Sequence, residues 1–130
     1  MNDRNTTIAQ LRQRVAGFVA DRKWQKYHRP KNLVMSLAVE AAELMEHFQW
    51  LDHDEGDALK RNPRARAEVA DEMADVLAFL LSLANAMAVD LSAAFEAKMA
   101  KNDRKYPAAK VRPRGRPYGR GHYRRPKGDS

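Results

Sequence analysis

Apolar residues recur along the first hundred positions at spacings of three and four, the repeat of a helix that buries one face. Within residues 7–26 the series is Ile8, Leu11, Val15, Phe18 and Val19, running on to Arg22, with Thr6 or Thr7 placed as its N-cap. Leu33, Val34, Leu37, Ala41, Leu44, Met45 and Phe48 predict a second helix over about 31–51, preceded by the helix-interrupting Pro30. A polar connection from Asp52 to Lys60 follows. Asn62-Pro63 joins a capping side chain to a residue suited to the first helical turn, and predicts a long helix burying Val69, Met73, Val76, Leu77, Leu80 and Leu83. Asp90 stands where it can cap a fourth main helix through Leu91, Ala94, Phe95 and Met99, which ends before Lys105-Tyr106-Pro107. No run alternates as a strand would. With short connections the expectation is an all-α antiparallel bundle of four main helices, with one modest core in residues 1–107. Apolar area on several helix faces also predicts self-association.

Composition narrows the chemistry. The 130 residues include no cysteine, which excludes a disulfide scaffold, thiolate zinc or iron–sulfur sites and a cysteine nucleophile, and fits a reducing compartment. The start, MNDRNTTIAQ, has no apolar run behind a basic segment, so no secretory signal is expected. The longest apolar stretch, Val76 to Val89, is broken by Ser82 and Asn85 and falls short of the roughly 18 residues a membrane-spanning helix needs. A soluble, cytoplasmic protein is expected.

The formal charge of +7 sits at one end. Residues 108–130 hold eight Lys and Arg against the lone acid Asp129, which leaves residues 1–107 neutral. This tail is rich in proline and glycine and poor in buriable side chains, so it is predicted to be disordered. Its Arg-Gly and Tyr interleaving resembles segments that touch RNA or single-stranded nucleic acid, and a solubilising tail is the plainer alternative.

Inside the helical body, acids gather where no base accompanies them. No Lys or Arg lies between Lys31 and Lys60, a stretch that carries Glu40, Glu43 and Glu46 on an otherwise apolar helix. None lies from Ala67 to Ala97, where Glu68, Asp71, Glu72 and Asp75 crowd the start of the long helix. Residues three apart on a helix project roughly 60° from one another, so Glu40 with Glu43 and Glu72 with Asp75 form like-charged pairs that repel. A solvated face with salt bridges suits Glu68, four residues after Arg64, but Glu72 and Asp75 have no cation at their i±4 positions. The chemical alternative is that two such pairs on neighbouring helices converge into an oxygen-only ligand set for Mg²⁺ or Mn²⁺.

Other chemistries find little support. A di-iron carboxylate bundle wants a Glu-x-x-His pair on each of two helices, and the long helix has no histidine. With only His28, His47, His53 and His122, a zinc site or a histidine-based triad is disfavoured, and there is no P-loop or GxGxxG.

The ExxE at Glu40–Glu43 and the ExxD at Glu72–Asp75 resemble the all-α MazG-like nucleotide pyrophosphohydrolase superfamily. The stretches DRKWQKYHRPKNLVMSLAVEAAELMEHFQW, EVADEMADVLAFLLSLA and KMAKNDRKYP are similar to its dCTP pyrophosphatase group, over about residues 8–107. The resemblance implies an enzyme that hydrolyses a (deoxy)nucleoside triphosphate, dCTP or a modified dCTP, to the monophosphate and pyrophosphate. It implies Mg²⁺ held by Glu40, Glu43, Glu72 and Asp75, with Mn²⁺ as a substitute. Glu43, then Glu46, is the candidate base for the attacking water. Lys98, Asn102, Lys105 and Tyr106, with Arg104, match positions the family uses around phosphates and sugar. By residue type alone, Lys98 to Lys105 is also simply a helix end whose cations favour its dipole. Trp24, His28, Trp50 and Phe79 match its base pocket, Trp50 lying two turns after Glu43 on what is predicted to be the same helix. The tryptophans are equally suited to anchoring helix ends. Phe79 departs from the tyrosine common in this branch and loses its hydroxyl. The family also implies a homotetramer, a dimer of dimers. Phosphoribosyl-ATP pyrophosphohydrolases and all-α dUTPases are related alternatives, which Trp24, Trp50 and the KYP segment disfavour. A reading of another class is a non-catalytic helical oligomer that grips nucleic acid through its basic tail.

Overall fold

The computed structural model describes residues 1–111, and every regular element among them is helical. The chain forms two compact units, Met1–Leu91 and Ser92–Ser130.

In the first unit, α1 spans Ile8–Asp21 and opens on a capping box. Thr7 Oγ1 accepts from the Gln10 amide at 3.1 Å, and the Thr7 amide donates to Gln10 Oε1 at 2.7 Å. The helix stops short of the predicted residue 26 because Lys23 takes a left-handed backbone, φ 54°. The Lys23 and Trp24 amides turn back to the carbonyls of Ala20 and Val19, a Schellman end made without glycine. A 3₁₀ turn, Gln25–Tyr27, leads on to α2, Pro30–Glu46.

Helix α2 is shorter than the predicted 31–51. A second capping box, between Asp52 and Glu55, starts the short helix α3, His53–Ala58, so the chain must turn before it. The predicted placement of Trp50 on the same helix as Glu43 is therefore corrected: Trp50 lies in the turn and is 85% exposed. The predicted polar connection is occupied by α3 and a 3₁₀ turn, Leu59–Arg61. The long helix α4, Pro63–Ala86, begins where Asn62-Pro63 predicts, with Asn62 Oδ1 accepting from the Arg64 and Ala65 amides at 3.1 Å. It ends on another Schellman turn, at Ala88 with φ 51°.

Helix α4 is the spine of this unit, with α2 and α1 packed along it. Val19, Leu33, Leu81 and Ala84 are buried, together with the hydroxyl residue Ser82. Arg12 of α1 grips the end of α4: Nε donates to Asn85 Oδ1 at 2.8 Å, Nη1 to the Val89 carbonyl at 2.6 Å and Nη2 to the Ala84 carbonyl at 3.2 Å. One predicted core stripe is not buried. Met73, Leu77 and Leu80 remain 58%, 39% and 38% exposed, whereas Val69, Val76 and Leu83 on the neighbouring stripe of α4 are half-buried.

The second unit contributes the remainder of α5, Leu91–Lys105, which ends before Pro107 as predicted. Ala108–Val111 then form a short helix, α6, which corrects the expectation of disorder for these four residues. The rest of the predicted disordered tail, and the nucleic-acid contact ascribed to it, lie outside the described residues. No single helix among the described residues is long and apolar enough to cross a membrane.

Candidate active site

Packing decides which acids meet. The inward stripe of α2 runs through Leu33, Leu37, Glu40 and Leu44, and that of α4 through Val69, Glu72, Val76 and Phe79. Glu40 and Glu72 thus occupy positions where the helix repeat calls for apolar side chains. Ligand oxygens of Glu40, Glu43 and Glu72 lie within 4.8 Å of one another. Oε2 of Glu40 and Oε2 of Glu72 are buried and have no hydrogen-bond partner. Two buried, unpartnered carboxylate oxygens facing like charge are costly unless something positive compensates them.

The electrostatics agree. Burial, foremost, and then Glu43 raise the Glu40 carboxyl from 4.5 to about 7. Glu43 acts both by hydrogen bonding to the protonated form and by its charge; Glu72 hydrogen-bonds it likewise, and the charge of Asp75 adds to the effect. Asp75 is thus close enough to be felt, although it is not one of the three acids whose oxygens lie within 4.8 Å. Glu46, at the last position of α2, is exposed. Glu68 is a surface acid paired with Arg64 at 3.3 Å, as its spacing predicts. An all-oxygen donor set with two orphaned buried oxygens suits a hard divalent cation, so the residues present fit Mg²⁺ or Mn²⁺.

A second feature lies further along the same face of α4. Glu72, Asp75, Phe79, Ser82 and Ala86 fall within a stripe about 80° wide at the helical repeat. The acids occupy one end. Ser82 and Ala86, at the other, line an open cavity of about 240 Å³ together with Val19, Gln25, His28 and neighbours. Seven residues separate Asp75 from Ser82, about 10 Å along the axis. That separation is comparable with the reach from the base to the phosphates of an extended nucleoside triphosphate. Phe79, half-buried, lies between the two ends.

Of the aromatic residues singled out by resemblance, Trp24 packs edge-on against Phe18, with ring centres 5.9 Å apart, and stays 43% exposed. Its carbonyl receives His28 Nδ1 at 3.0 Å. Trp50 projects from its turn, and of Trp24, His28, Trp50 and Phe79 it is His28 alone that lines the cavity. Lys98, Asn102 and Lys105 lie on α5, with Tyr106 just beyond its end. The Tyr106 amide donates to the Asn102 carbonyl at 2.8 Å, and Lys105 Nζ stands 5.4 Å from the Tyr106 ring centre. Sequence reasoning missed Arg12 and the lining role of Ser82 and Asn85. The available signal was the pair of polar residues, three apart, interrupting the most apolar stretch of the chain.

Comparison with known proteins bears on the family and the fold. The MazG-like family matches residues 35–119. The chain is 40% identical over 112 residues to dCTP pyrophosphatase 1 of Homo sapiens, which covers 86% of this chain and 66% of that protein. It is 40% identical over 101 residues to the Bos taurus dCTP pyrophosphatase 1, covering 78% of this chain and 60% of that one. The matched segment thus spans slightly under two thirds of these relatives. Among solved structures, that of a pyrophosphatase from Archaeoglobus fulgidus superposes with a TM-score of 0.71 at 38% identity, covering 82% of this chain and 98% of the other. Acids on facing stripes of α2 and α4, the matched segment and the shared all-helical fold lead to one conclusion: the chain belongs to the MazG-like family.

Proposed function

We propose that the protein is a Mg²⁺-dependent nucleoside triphosphate pyrophosphohydrolase, acting on dCTP or a modified dCTP in nucleotide-pool housekeeping. The observation that carries this reading is the cluster of Glu40, Glu43 and Glu72, with its two buried oxygens lacking any partner. The relatives named dCTP pyrophosphatase support the substrate class.

In the proposed reaction water attacks the α-phosphorus in line, the bond to the α–β bridging oxygen breaks, and pyrophosphate leaves with the electron pair. Glu40, Glu43, Glu72 and Asp75 would hold the cation, which supplies charge neutralisation on the phosphates and acidifies water. Glu43, exposed at the rim of the cluster, is assigned to take the proton of the attacking water, with Glu46 one turn further as the second candidate. Lys98, Asn102, Lys105 and Tyr106 are assigned to phosphates and sugar, as cationic and hydrogen-bonding partners suited to them. Trp24, His28, Trp50 and Phe79 are assigned to the base. The catalytic demand is positioning and charge neutralisation rather than covalent chemistry.

Two further parts of the reading concern assembly and location. The exposed stripe Met73, Leu77 and Leu80 on α4, with Val34, Met35 and Val39 on α2, supports burial against other copies of the chain, as a homotetramer built from dimers. The compartment is taken to be the cytoplasm.

The test is pyrophosphate release from a panel of common NTPs, dNTPs and 5-modified dCTPs, with Mg²⁺ and with EDTA. Metal-dependent release favouring dCTP forms is expected, and Glu72→Ala is expected to abolish it. Full hydrolysis by Glu72→Ala would sink the assignment of the carboxylates.

A further inference from the structure

A second open cavity, of about 270 Å³, lies at the opposite end of α4, between its first turns and the α3 segment. Phe48, Gly56, Asp57, Lys60, Arg66 and Val69 line it. By the helical repeat Val69 and Arg66 stand about 60° and 120° around α4 from Glu72, whereas Asp75 and Ser82 stand about 60° and 80° from it in the opposite sense. The cavity therefore opens on the other flank of α4 from Asp75 and Ser82, and the proposed reaction makes no use of it.

Three kinds of group meet in its lining. Lys60 and Arg66 are exposed cations and Asp57 is an exposed acid, yet among the described residues the ion pair that forms is Arg64 with Glu68. The three charges thus share one cavity without pairing. Phe48, 39% exposed, brings an aromatic ring. Gly56 leaves room beside that ring. Its amide donates to the Asp52 carbonyl at 2.9 Å and its carbonyl accepts from the Leu59 amide, so it is an ordinary helical residue of α3 whose backbone does not require glycine. Glycine weakens a helix, and what it provides here is space: a Cβ would stand 3.7 Å from Phe48 Cδ1.

We infer that this cavity is a nucleotide-binding site separate from the acid cluster. A nucleotide calls for these groups together: an aromatic face for its base, cations for its phosphate and an acceptor for its sugar hydroxyls. Phe48 stacks on the base in the gap at Gly56. Lys60 and Arg66 hold the phosphate, one as a point charge and the other as a fork, and Asp57 accepts from the sugar. The volume is close to the lower end of the range for small-molecule sites, which suits a nucleoside monophosphate whose phosphate lies toward the open side.

The test is fluorine-19 NMR of the full chain carrying 4-fluorophenylalanine at its four phenylalanines. EDTA is present throughout, so the acids have no cation with which to hold phosphate. Titration with AMP, GMP, CMP and UMP should move the Phe48 signal, assigned by its loss in Phe48→Leu, saturably for at least one of them. The double variant Lys60→Ala, Arg66→Ala should weaken that nucleotide about 10-fold or more, and both side chains are exposed, so the fold should survive. Phe48→Leu, read by calorimetry, should weaken it about 5-fold or more by removing the stacking face, and ribose 5-phosphate and inorganic phosphate should bind the wild type more weakly by at least about the same factor. A Phe48 signal indifferent to all these nucleotides up to millimolar concentration overturns the inference, as does a shift that the double variant leaves unchanged. Equal affinity for inorganic phosphate overturns it too, by reducing the cavity to an anion site without base recognition. No readout involves hydrolysis, so failure of the pyrophosphate assay would leave this site standing, and failure here would leave the pyrophosphohydrolase reading intact.

Discussion

Replacing Glu40 with glutamine keeps the side-chain shape but removes one charge from a cluster in which like charges already crowd. In the metal-free protein this substitution should stabilise the fold. The Glu40 carboxyl is raised from 4.5 to about 7, so the native state holds its proton more tightly than the unfolded chain does. Stability contributed by this group therefore falls as pH rises from about 4.5 to about 7, and above that the ionised native cluster carries the whole penalty. At about 1.36 kcal/mol per pH unit the shift corresponds to roughly 3 kcal/mol. Solvent reaches the half-buried rim and screens the cluster, so about 1–2 kcal/mol is the expected gain for Glu40→Gln.

The assay is thermal unfolding in EDTA. Near pH 8 the glutamine variant should melt about 3–10 °C higher than the wild type, and the difference should vanish near pH 4.5. Mg²⁺ should reverse the order. A cation held only by the native state stabilises by about 2.7 kcal/mol at one hundred times its Kd, and the wild type should gain this while the variant gains much less. A variant that melts lower than wild type in EDTA near pH 8 would refute the electrostatic reasoning, and an equal response to Mg²⁺ would refute the role of Glu40 as a ligand.

Two other outcomes follow from the packing. Arg12→Met removes three hydrogen bonds from the end of α4 and should destabilise by about 2–3 kcal/mol in urea unfolding, and combining it with Asn85→Ala should cost clearly less than the sum of the single changes. Lys23→Gly relieves a left-handed lysine at φ 54° and should stabilise by about 1 kcal/mol by the same measurement, whereas a loss would show that the lysine side chain contributes more than its backbone strain costs.

Much of this architecture was legible in the pattern of residues. Asn62-Pro63 marks the start of α4, Lys105-Tyr106-Pro107 marks the end of α5, and Arg64 four residues before Glu68 gives the ion pair that forms. The unpartnered acids pointed to the cluster because a base-free stretch is visible without coordinates. Helix ends were less legible. Both Schellman turns use a non-glycine residue, Lys23 and Ala88, so the usual glycine signal is missing. Helix α3 has no apolar stripe, and it forms around the Asp52–Glu55 capping box. The fate of Met73, Leu77 and Leu80 was also illegible, because helical periodicity shows that a residue is apolar on a face but not whether another element covers that face.

The arrangement explains why polar residues sit on the packing stripe of the most apolar helix. On the proposed function, a site that holds phosphates at one end and a base at the other needs a ruler that does not bend, and a single α-helix supplies one. Helix α4 is fixed at its start by the Asn62 cap and at its end by the Ala88 turn and the Arg12 clamp. Between these points the stripe from Glu72 through Phe79 to Ser82 cannot lengthen or twist without breaking helical hydrogen bonds. Arg12 ties α1, the wall of the cavity, to the same helix end, so loosening the clamp should blur base selection before it affects the acids. If the proposed function holds, Arg12→Met should lower the dCTP preference over dUTP while leaving the Mg²⁺ concentration needed for half-maximal hydrolysis nearly unchanged. Equal losses in both would mean that the two ends of the stripe are not mechanically separable.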